Sequence, residues 1–304
     1  MTAKWYGTGI VMICVTGISV ACADSVMGPA NDHFELAFTR SDRGSFASDL
    51  YVSRADGSHA TRLTTNAYAA TARWSPDGTQ IAFVTNTQYT VIELINADGT
   101  GRHVLTSGAA AAWSPDGSRI GFTGFIEILF PGGGGKLTKV TMLYRINADG
   151  SNQIRIAPDS AYNSMGSWSP DGTRIVFTRF IQAAGNDEIF VMGAEGTNLV
   201  PLTANGTRNS HPAWSPAGAK IAFVGWQDPH YSIYTMNPDG SGLTRLTSGT
   251  ADDMCPAWSP DGSRIAFTSN RDGFYQTYLM NADGSGQVRI KSDFSDTCPS
   301  WKAP

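Results

Sequence analysis

The sequence predicts an all-β fold, a six-bladed β-propeller of four-stranded antiparallel blades, from three observations. A five-residue motif, Trp-Ser-Pro-Asp-Gly, recurs at intervals typical of one supersecondary unit. Each copy is followed by a similar series of short apolar runs and Asp-Gly turns. The chain ends in a lone copy of the tryptophan strand. The motif occupies residues 74–78, 113–117, 168–172 and 258–262, with the variant Trp-Ser-Pro-Ala-Gly at 214–218.

Each repeat contains the pattern of four strands. Pro presets φ and Gly closes the turn, so Ser-Pro-Asp-Gly favours a tight reversal after the tryptophan strand. An Ile-Ala-Phe run follows, as at 221–223, and then an aliphatic or aromatic strand. A hairpin turn such as 147–150 leads to a fourth strand such as 244–247. Four antiparallel strands per repeat are typical of a propeller blade.

The number of strands indicates how the ring closes. The first repeat begins at its second strand, near Glu35, whereas Trp301 ends the chain with no strands after it. If this terminal strand completes the first blade, six blades close without a free edge, which avoids edge-to-edge aggregation. The predicted propeller spans residues 34–304. Its tryptophans are expected to pack between blades, each stabilising the ring by up to about 5 kcal/mol.

The repeated segments resemble the PD40 repeat of TolB-like β-propellers over roughly residues 34–303. The same repeat occurs in the propellers of tricorn and of dipeptidyl peptidase and prolyl oligopeptidase proteins. The resemblance therefore implies the propeller fold rather than one function. For the TolB family it further implies that the variable face and central channel receive peptide segments of partner proteins at the cell envelope.

Residues 1–33 differ from the repeats. Lys4 precedes an uncharged apolar run over 6–20, and small residues follow, as in a secretory signal peptide. We expect a signal peptide over 1–23, a short linker over 24–33 and export to the periplasm. Cleavage after Ala23 and a lipobox ending at Cys22 both fit the sequence. Lipid on Cys22 would anchor the protein to the bacterial envelope membrane.

Composition and motifs exclude several classes of function. The formal net charge is −4 and no basic run occurs, so we expect no nucleic-acid partner. No Gly-x-Ser-x-Gly elbow is present, and the five histidines lack metal-ligand spacing. We therefore expect a protein without catalytic activity, metal or cofactor. The sequence leaves the oligomeric state open.

Cys255 and Cys298 stand at equivalent positions of two repeats, each three residues before a tryptophan. We expect equivalent positions on adjacent inner strands near the ring axis to come within the roughly 7 Å Cα limit for a disulfide. In an oxidising compartment such a bond would join blade six to the closing strand. Two buried free thiols are the alternative.

The first candidate site is the mouth of the central channel. His211 lies three residues before Trp214, and four polar residues lie five residues before their own tryptophans. A polar ring of these side chains would bind a carbohydrate or another small molecule, or support lyase-like or lactonase-like activity. Solvated loop ends are the alternative. The four residues are Asn163, Asn209, Asp253 and Asp296.

The second candidate site is the face opposite the repeated turns. Both turn motifs connect strands at one end of each blade, so the remaining loops and the links between blades gather at the other end, the variable face. We predict that this face binds a protein or peptide through aromatic and arginine side chains. Packing against their own blade is the alternative for each of them. The residues are Phe130, Arg179, Phe180, Trp226, Tyr231, Arg271 and Phe274.

Blade three carries an insert over 124–138, which separates Trp113 from Trp168 by 55 residues. An apolar run that includes Phe130 is followed by four glycines. Such a segment could be a lid, a docking finger for a partner or an extended hairpin.

Overall fold

A computed structural model describes residues 35–41, 47–129, 137–157, 162–227, 229–290 and 294–303. The regular elements within these ranges are β-strands. No helix in this part of the chain is long and apolar enough to cross a membrane. The predicted signal peptide, the linker, Cys22 and Phe130 lie outside the described residues.

The strands are numbered in chain order, and blades are numbered from one to six. Blades one to three contain β1 (Glu35–Ser41), β2 (Ser48–Arg54), β3 (Thr61–Arg62), β4 (Ala69–Trp74), β5 (Gln80–Asn86), β6 (Thr90–Asn96), β7 (His103–Ser107), β8 (Ala109–Trp113), β9 (Arg119–Leu129), β10 (Leu137–Asn147) and β11 (Ile154–Arg155). The remaining strands are β12 (Asn163–Trp168), β13 (Arg174–Ile181), β14 (Asn186–Gly193), β15 (Val200–Pro201), β16 (Asn209–Trp214), β17 (Ile221–Gln227), β18 (His230–Met236), β19 (Thr244–Arg245), β20 (Asp253–Trp258), β21 (Arg264–Ser269), β22 (Gln276–Asn281), β23 (Val288–Arg289) and β24 (Ser295–Trp301).

The strands form six four-stranded antiparallel sheets, one per blade. Five sheets use consecutive strands, whereas blade one has the order β24-β1-β2-β3. Leu36 pairs with Trp301 and Arg40 pairs with Asp296, so the C-terminal strand is the inner strand of the first blade. The predicted six-bladed ring and its closure are confirmed. Each inner strand contacts the inner strands of both neighbouring blades, and together they surround the central channel.

The hydrophobic core lies between blades. Val176 and Ile189 of blade four pack with Trp214, Ile221 and Phe223 of blade five in one buried cluster. Corresponding clusters join the other pairs of adjacent blades. Because both members of each pair contribute side chains, a blade buries its apolar face only when its neighbours are in place.

The tryptophans also form hydrogen bonds across the blade interfaces. The indole Nε1 of Trp168 donates to the carbonyl oxygen of Ala112 in blade three, at 3.2 Å. Trp74 and Trp214 differ, since their indole N–H groups are buried without a hydrogen-bond partner among the described residues. In the blade that precedes that of Trp214, Ser167 stands immediately before Trp168. Its hydroxyl accepts a hydrogen bond from the backbone nitrogen of Trp214, at 2.8 Å. The bond made by Trp168 is also made by Trp113, Trp258 and Trp301.

Each inner strand contains a bulge close to the position three residues before its tryptophan. In β16 the pairing with the second strand shifts between Ser210 and Ala213. A bulge adds one residue to its strand, so the side chains before it change face relative to those after it. The backbone φ is positive at this position in five blades, at Thr71, Ala110, His211, Cys255 and Cys298.

The insert of blade three forms an extended hairpin in its described part. β9 and β10 are each 11 residues long and remain paired out to Leu129 and Leu137. This matches the hairpin alternative for the insert. The segment between these strands lies outside the described residues.

Candidate functional site

One face of the ring consists of near-identical turns. In blade two the backbone nitrogen of Gly78 donates to the carbonyl oxygen of Ser75 at 2.9 Å, and the nitrogen of Ser75 donates to the carbonyl oxygen of Gln80 at 2.8 Å. The same pair of bonds recurs in the other Ser-Pro-Asp-Gly turns and in the Ser-Pro-Ala-Gly turn. Because blades two to six repeat this geometry, we name this end the uniform face.

The aspartates of the uniform face stabilise their own turns. The hydroxyl of Ser114 donates to Asp116 Oδ1 at 2.5 Å, and the hydroxyl of Ser118 donates to Oδ2 at 2.7 Å. These bonds favour the ionised carboxylate and lower the pKa of Asp116 to about 2. Asp171 has the same environment, with the hydroxyl of Ser169 as the largest cause of a pKa of about 2. These carboxylates therefore stabilise the turns through hydrogen bonds. In the described ranges, no group of three His, Cys, Asp or Glu side chains could hold a metal ion.

The two propeller cysteines meet at the boundary between blade six and the closing strand. Cys255 on β20 and Cys298 on β24 have Cα atoms 5.1 Å apart, and their sulfur atoms lie at bonding distance. Both residues occupy the bulge position of their inner strands, with φ near 50°. The equivalence of the two repeats therefore brings together residues 43 positions apart.

The four polar residues expected at the channel mouth are buried instead, at 1–2% exposure. In a regular strand a residue five positions before the tryptophan would point to the opposite face. The bulge adds one residue, so these side chains point between the blades, as the tryptophans do. The expectation of an open polar ring is wrong for Asn163, Asn209, Asp253 and Asp296.

The buried polar residues are bonded within the ring. Arg40 donates to both carboxylate oxygens of Asp296, at 2.6 and 2.9 Å. Arg271 donates to Asp253 Oδ1 at 3.0 Å. Asn209 Nδ2 donates to Glu188 of the preceding blade at 2.8 Å. These bonds fix the start of the inner strands.

His211 is the one predicted mouth residue with an exposed side chain. Desolvation and, second, the positive charge of Arg73 lower its pKa to about 4. An exposed side chain that is also desolvated must lie in an enclosed space, so we place His211 in the channel. Arg73, on the opposite blade of the ring, donates to the carbonyl oxygen of Ala72 at 2.7 Å and has no carboxylate partner among the described residues. The nearby Thr71 Oγ1 is buried without a hydrogen-bond partner.

Two arginines predicted to contact a partner are held by their own blades. The Arg271 Cζ lies 5.3 Å from the ring centroid of Phe267 and 4.7 Å from that of Tyr278. The Arg179 Cζ lies 5.5 Å from the ring centroid of Phe190. For these arginines the alternative of packing against their own blade describes the structure.

Three of the predicted aromatic residues belong to pairs on the variable face. Trp226 and Tyr231 of blade five meet edge to face, with ring centroids 4.7 Å apart. Phe180 of blade four meets Tyr162 in the same way, at 6.2 Å. Tyr162 is 42% exposed, and the other three rings are half-buried. We name Tyr162, Phe180, Trp226 and Tyr231 the aromatic arc. Phe274 of blade six is half-buried and lies outside it.

Backbone and side-chain bonds hold the aromatic arc in place. The backbone nitrogens of Phe180 and Trp226 each donate, at 2.8 Å, to the link that precedes the inner strand of their blade. The backbone nitrogen of Tyr231 donates to Asp252 Oδ1 at 3.1 Å. Asp252 also lies 3.5 Å from His230 Nδ1 and bonds Asn270 in blade six. The arc is therefore supported from the neighbouring blade.

The sequence interpretation missed the aromatic residues at the ends of the blade-to-blade links. Tyr68, Tyr162 and Phe294 immediately precede inner strands and are 43%, 42% and 39% exposed. Their common position, six or seven residues before a tryptophan, was a usable signal. Because of the bulge, these aromatic residues, and not the residues five positions before the tryptophan, are exposed at the start of the inner strands.

A pocket of about 360 Å³ opens beside the aromatic arc in blade five. Its walls combine aromatic rings with amide and hydroxyl groups. Gly225 contributes no side chain to it. The lining residues are Asn205, Thr207, Asn209, Phe223, Gly225, Trp226, Tyr234 and Leu243.

The family model described as the TolB β-propeller domain, PD40, matches residues 109–228 and 208–303, which confirms the resemblance seen in the repeats. None of the curated proteins compared matches the chain. TolB from Acinetobacter baumannii is similar, with a TM-score of 0.77, 21% identity and coverage of 91% of this chain and 68% of that one.

Two further solved structures show how widely the architecture occurs. A chain of the nidogen/laminin complex gives a TM-score of 0.67 and 10% identity, covering 88% of this chain and 98% of that one. The tricorn protease gives a TM-score of 0.60 and 20% identity, covering 84% of this chain and 26% of that one. At these identities the likeness concerns the fold alone, so function must be argued from the site.

Proposed function

Because the chain belongs to the TolB β-propeller domain family, we propose that it is an exported, non-catalytic scaffold for a protein or peptide partner at the bacterial cell envelope. The variable face and the channel form the binding surface. The aromatic arc is the observation that carries this proposal. It presents four rings on adjacent blades, held in position by backbone bonds.

Pre-positioned aromatic rings suit a binding surface for physical reasons. Each ring offers a large contact area and loses little side-chain entropy when a partner covers it, so aromatic residues often dominate interface energetics. The arc residues remain at least partly exposed, so their surface is available to a partner. The nidogen/laminin complex contains a chain of similar fold in a protein complex.

The test compares aromatic substitutions on one face. The intact protein and its variants are immobilised, and a partner is captured from envelope extracts of the cells that make it. Trp226→Ala is expected to reduce recovery of a specific partner by at least about tenfold, as for an interface hot spot. Tyr89→Ala is the control, because Tyr89 is 68% exposed in the loop of blade two, outside the arc. Equal recovery by both variants would contradict the proposal.

We further propose that residues 1–23 direct export and that Cys22 carries lipid when the lipobox is used. Mass spectrometry of the mature N-terminus distinguishes the two cleavage outcomes. A diacylglyceryl cysteine at the N-terminus supports lipid anchoring, whereas an N-terminus at Asp24 supports simple cleavage. A retained Met1 in protein taken from cells would contradict export through this segment.

A second candidate function, small-molecule binding in the channel, has one supporting observation. The Arg73 guanidinium is desolvated, which lowers its pKa, and no described carboxylate pairs with it. A small anion would offset this isolated charge. If the channel binds one, phosphate or citrate raises the melting temperature of the protein, and Arg73→Gln abolishes the shift. An unchanged melting temperature with both anions argues against this function.

A further inference from the structure

The pocket beside Trp226 occupies a position where other blades place an arginine of their own. In blade one Arg40 covers the stacked rings of Phe38 and Tyr51, with its Cζ 5.0 and 4.8 Å from their centroids. The Arg40 guanidinium also bonds Asp296, the residue opposite it on the inner strand. Equivalent aromatic rings are covered by Arg102, Arg179 and Arg271.

Blade five has the same pair of rings, but no described arginine lies over them, since its Arg245 bonds Ser232 and Thr247 instead. Phe223 and Tyr234 stack with ring centroids 5.7 Å apart and planes inclined by 24°. Gly225 stands two residues after its phenylalanine, as Arg40 does, and pairs with Asn209 as Arg40 pairs with Asp296. The pocket is therefore the space that a guanidinium fills in blade one.

An acceptor faces this space. A Cβ atom built at Gly225 would lie 3.4 Å from Asn209 Oδ1, so this oxygen points to where an arginine side chain would begin. No described residue donates to Asn209 Oδ1. The other end of the amide, Nδ2, donates to Glu188 at 2.8 Å. Asn209 thus links the pocket to a carboxylate in blade four.

That carboxylate forms no ion pair with another described residue. Glu188 is 4% exposed, and its described partners are neutral: the side chains of Asn186, Thr203 and Asn209 and the backbone nitrogen of Gly206. In blade one the carboxylate at the same register, Asp49, pairs with Arg62 at 2.5 Å. Blade four has Pro201 in place of that arginine. A buried negative charge beside the pocket favours a cationic occupant.

From these observations we propose that the pocket binds the guanidinium of an arginine side chain supplied by the partner. The proposal rests on the proposed binding function of the variable face. The planar guanidinium stacks on Phe223 and Tyr234 and donates to Asn209 Oδ1. Lysine fits less well, because its ammonium is a compact, strongly hydrated charge that cannot stack on the rings.

The probe is N-acetyl-arginine amide, titrated into the intact protein and followed by calorimetry and tryptophan fluorescence. N-acetyl-citrulline amide has the same shape without the charge, and N-acetyl-lysine amide has the charge without the plane. Arginine amide is expected to bind at least about tenfold more tightly than either. Equal affinity for the three, or no saturable binding of arginine amide, overturns the proposal.

Two substitutions at Gly225 locate the binding. Gly225→Arg places a guanidinium in the pocket from within, as in blade one, and is expected to abolish binding of arginine amide. Gly225→Ala introduces the same Cβ, which would approach the Tyr234 ring to 2.9 Å, without the guanidinium. The arginine variant should therefore melt at a higher temperature than the alanine variant. A lower melting temperature for the arginine variant, or arginine amide binding that survives in it, contradicts the proposal.

The outcomes separate this proposal from the general binding function. If the protein captures a partner through Trp226 but does not bind arginine amide, the scaffold function stands and the guanidinium pocket is rejected. If arginine amide binds and Gly225→Arg abolishes it while partner capture does not depend on Trp226, the pocket stands and the scaffold function is rejected.

Discussion

The uniform and variable faces are built from the same strands but differ in how closely each blade follows the repeat. On the uniform face four of the five glycines of the turn motif lie over the proline of the preceding blade: a Cβ added at Gly172 would be 3.4 Å from Pro115, and one at Gly218 would be 3.7 Å from Pro170. The fifth, Gly78, lies against Lys302 after the closing strand. On the variable face, blade one has an Arg–Asp pair, blade four an aromatic pair and blade five an open pocket.

The difference indicates how the molecule divides stability from binding. Stability in a ring of repeats depends on contacts between neighbours, and these must recur at every interface. Recognition needs a surface that differs from place to place. The repeated motif therefore marks the stabilising parts of the chain, and departures from it mark candidate binding residues, such as Trp226 and Gly225.

The largest expected effect compares a repeat tryptophan with the one outside the pattern. Trp168→Ala should lower the free energy of unfolding by about 3–5 kcal/mol, because Trp168 is 6% exposed between blades. Trp226→Ala should lower the free energy of unfolding by about 1 kcal/mol, because the ring is half-buried and packs edge to face against Tyr231. Urea denaturation measures both. Similar losses of unfolding free energy in the two variants would show that the repeated tryptophans do not stabilise the ring more than the variable-face tryptophan does.

Closure of the ring should also contribute strongly to stability. A disulfide between Cys255 and Cys298 closes a loop with a sequence separation of 43 residues. In the chain-entropy model this stabilises the fold by about 4 kcal/mol. Cys298→Ser should lower the urea midpoint accordingly, and dithiothreitol should lower it for the unsubstituted protein but not for the variant. A midpoint in the unsubstituted protein that is insensitive to dithiothreitol would mean that the thiols are not bonded.

Acid should destabilise the channel and the uniform face over different pH ranges. The pKa of His211 is lowered from 6.5 to about 4, so the unfolded chain binds a proton that the folded chain does not, and stability falls as pH decreases between these values. The pKa values of Asp116 and Asp171 are lowered from 3.8 to about 2, so their contribution is lost between about pH 4 and pH 2.

Urea denaturation across this range separates the two effects. His211→Asn should remove the pH dependence of the free energy of unfolding in the upper pH range only. Asparagine is suitable here because it tolerates the positive φ of 52° at this position. Asp116→Asn should reduce the loss of stability in the lower pH range only. If His211→Asn leaves the upper range unchanged, the histidine does not occupy a desolvated channel.

The smallest expected effect compares two equally buried tryptophans. Trp168→Phe loses the bond from Nε1 to Ala112, whereas the Nε1 of Trp214 has no described partner to lose. The exposures are 6% and 7%, so the losses of buried area are similar. Trp168→Phe should therefore be the more destabilising by about 1 kcal/mol. Calorimetric unfolding of both variants measures the difference, and a larger loss for Trp214→Phe would contradict it.

The sequence predicts the ring well because the repeat determines its geometry. Trp301 without a following turn was sufficient to place the closing strand, and the equivalence of Cys255 and Cys298 predicted that they lie close together, with free thiols left as the alternative. The sequence failed where one residue alters the alternation of a strand. The bulge in β16 turns Asn209 toward the blade interface, and no local residue pattern announces it.

Other features could have been read from the sequence by comparing blades. Phe-Thr-Arg at 38–40 and 177–179 becomes Phe-Val-Gly at 223–225 and Phe-Thr-Gly at 122–124, so the sequence shows a glycine in place of this arginine in blades five and three. The roles of Arg179 and Arg271 depended on side-chain direction, since an arginine in a loop can cover its own blade or extend to a partner. Only the packing against Phe190 and Phe267 distinguishes these alternatives.

The most direct test of partner binding through the variable face is photocrosslinking in whole cells at two positions of blade four. A benzophenone amino acid replaces Tyr162 on the variable face or Thr173 on the uniform face, both of which are exposed. The account predicts a discrete crosslinked partner from position 162 and none from position 173. Crosslinks from position 173 alone, or from neither position, would contradict it.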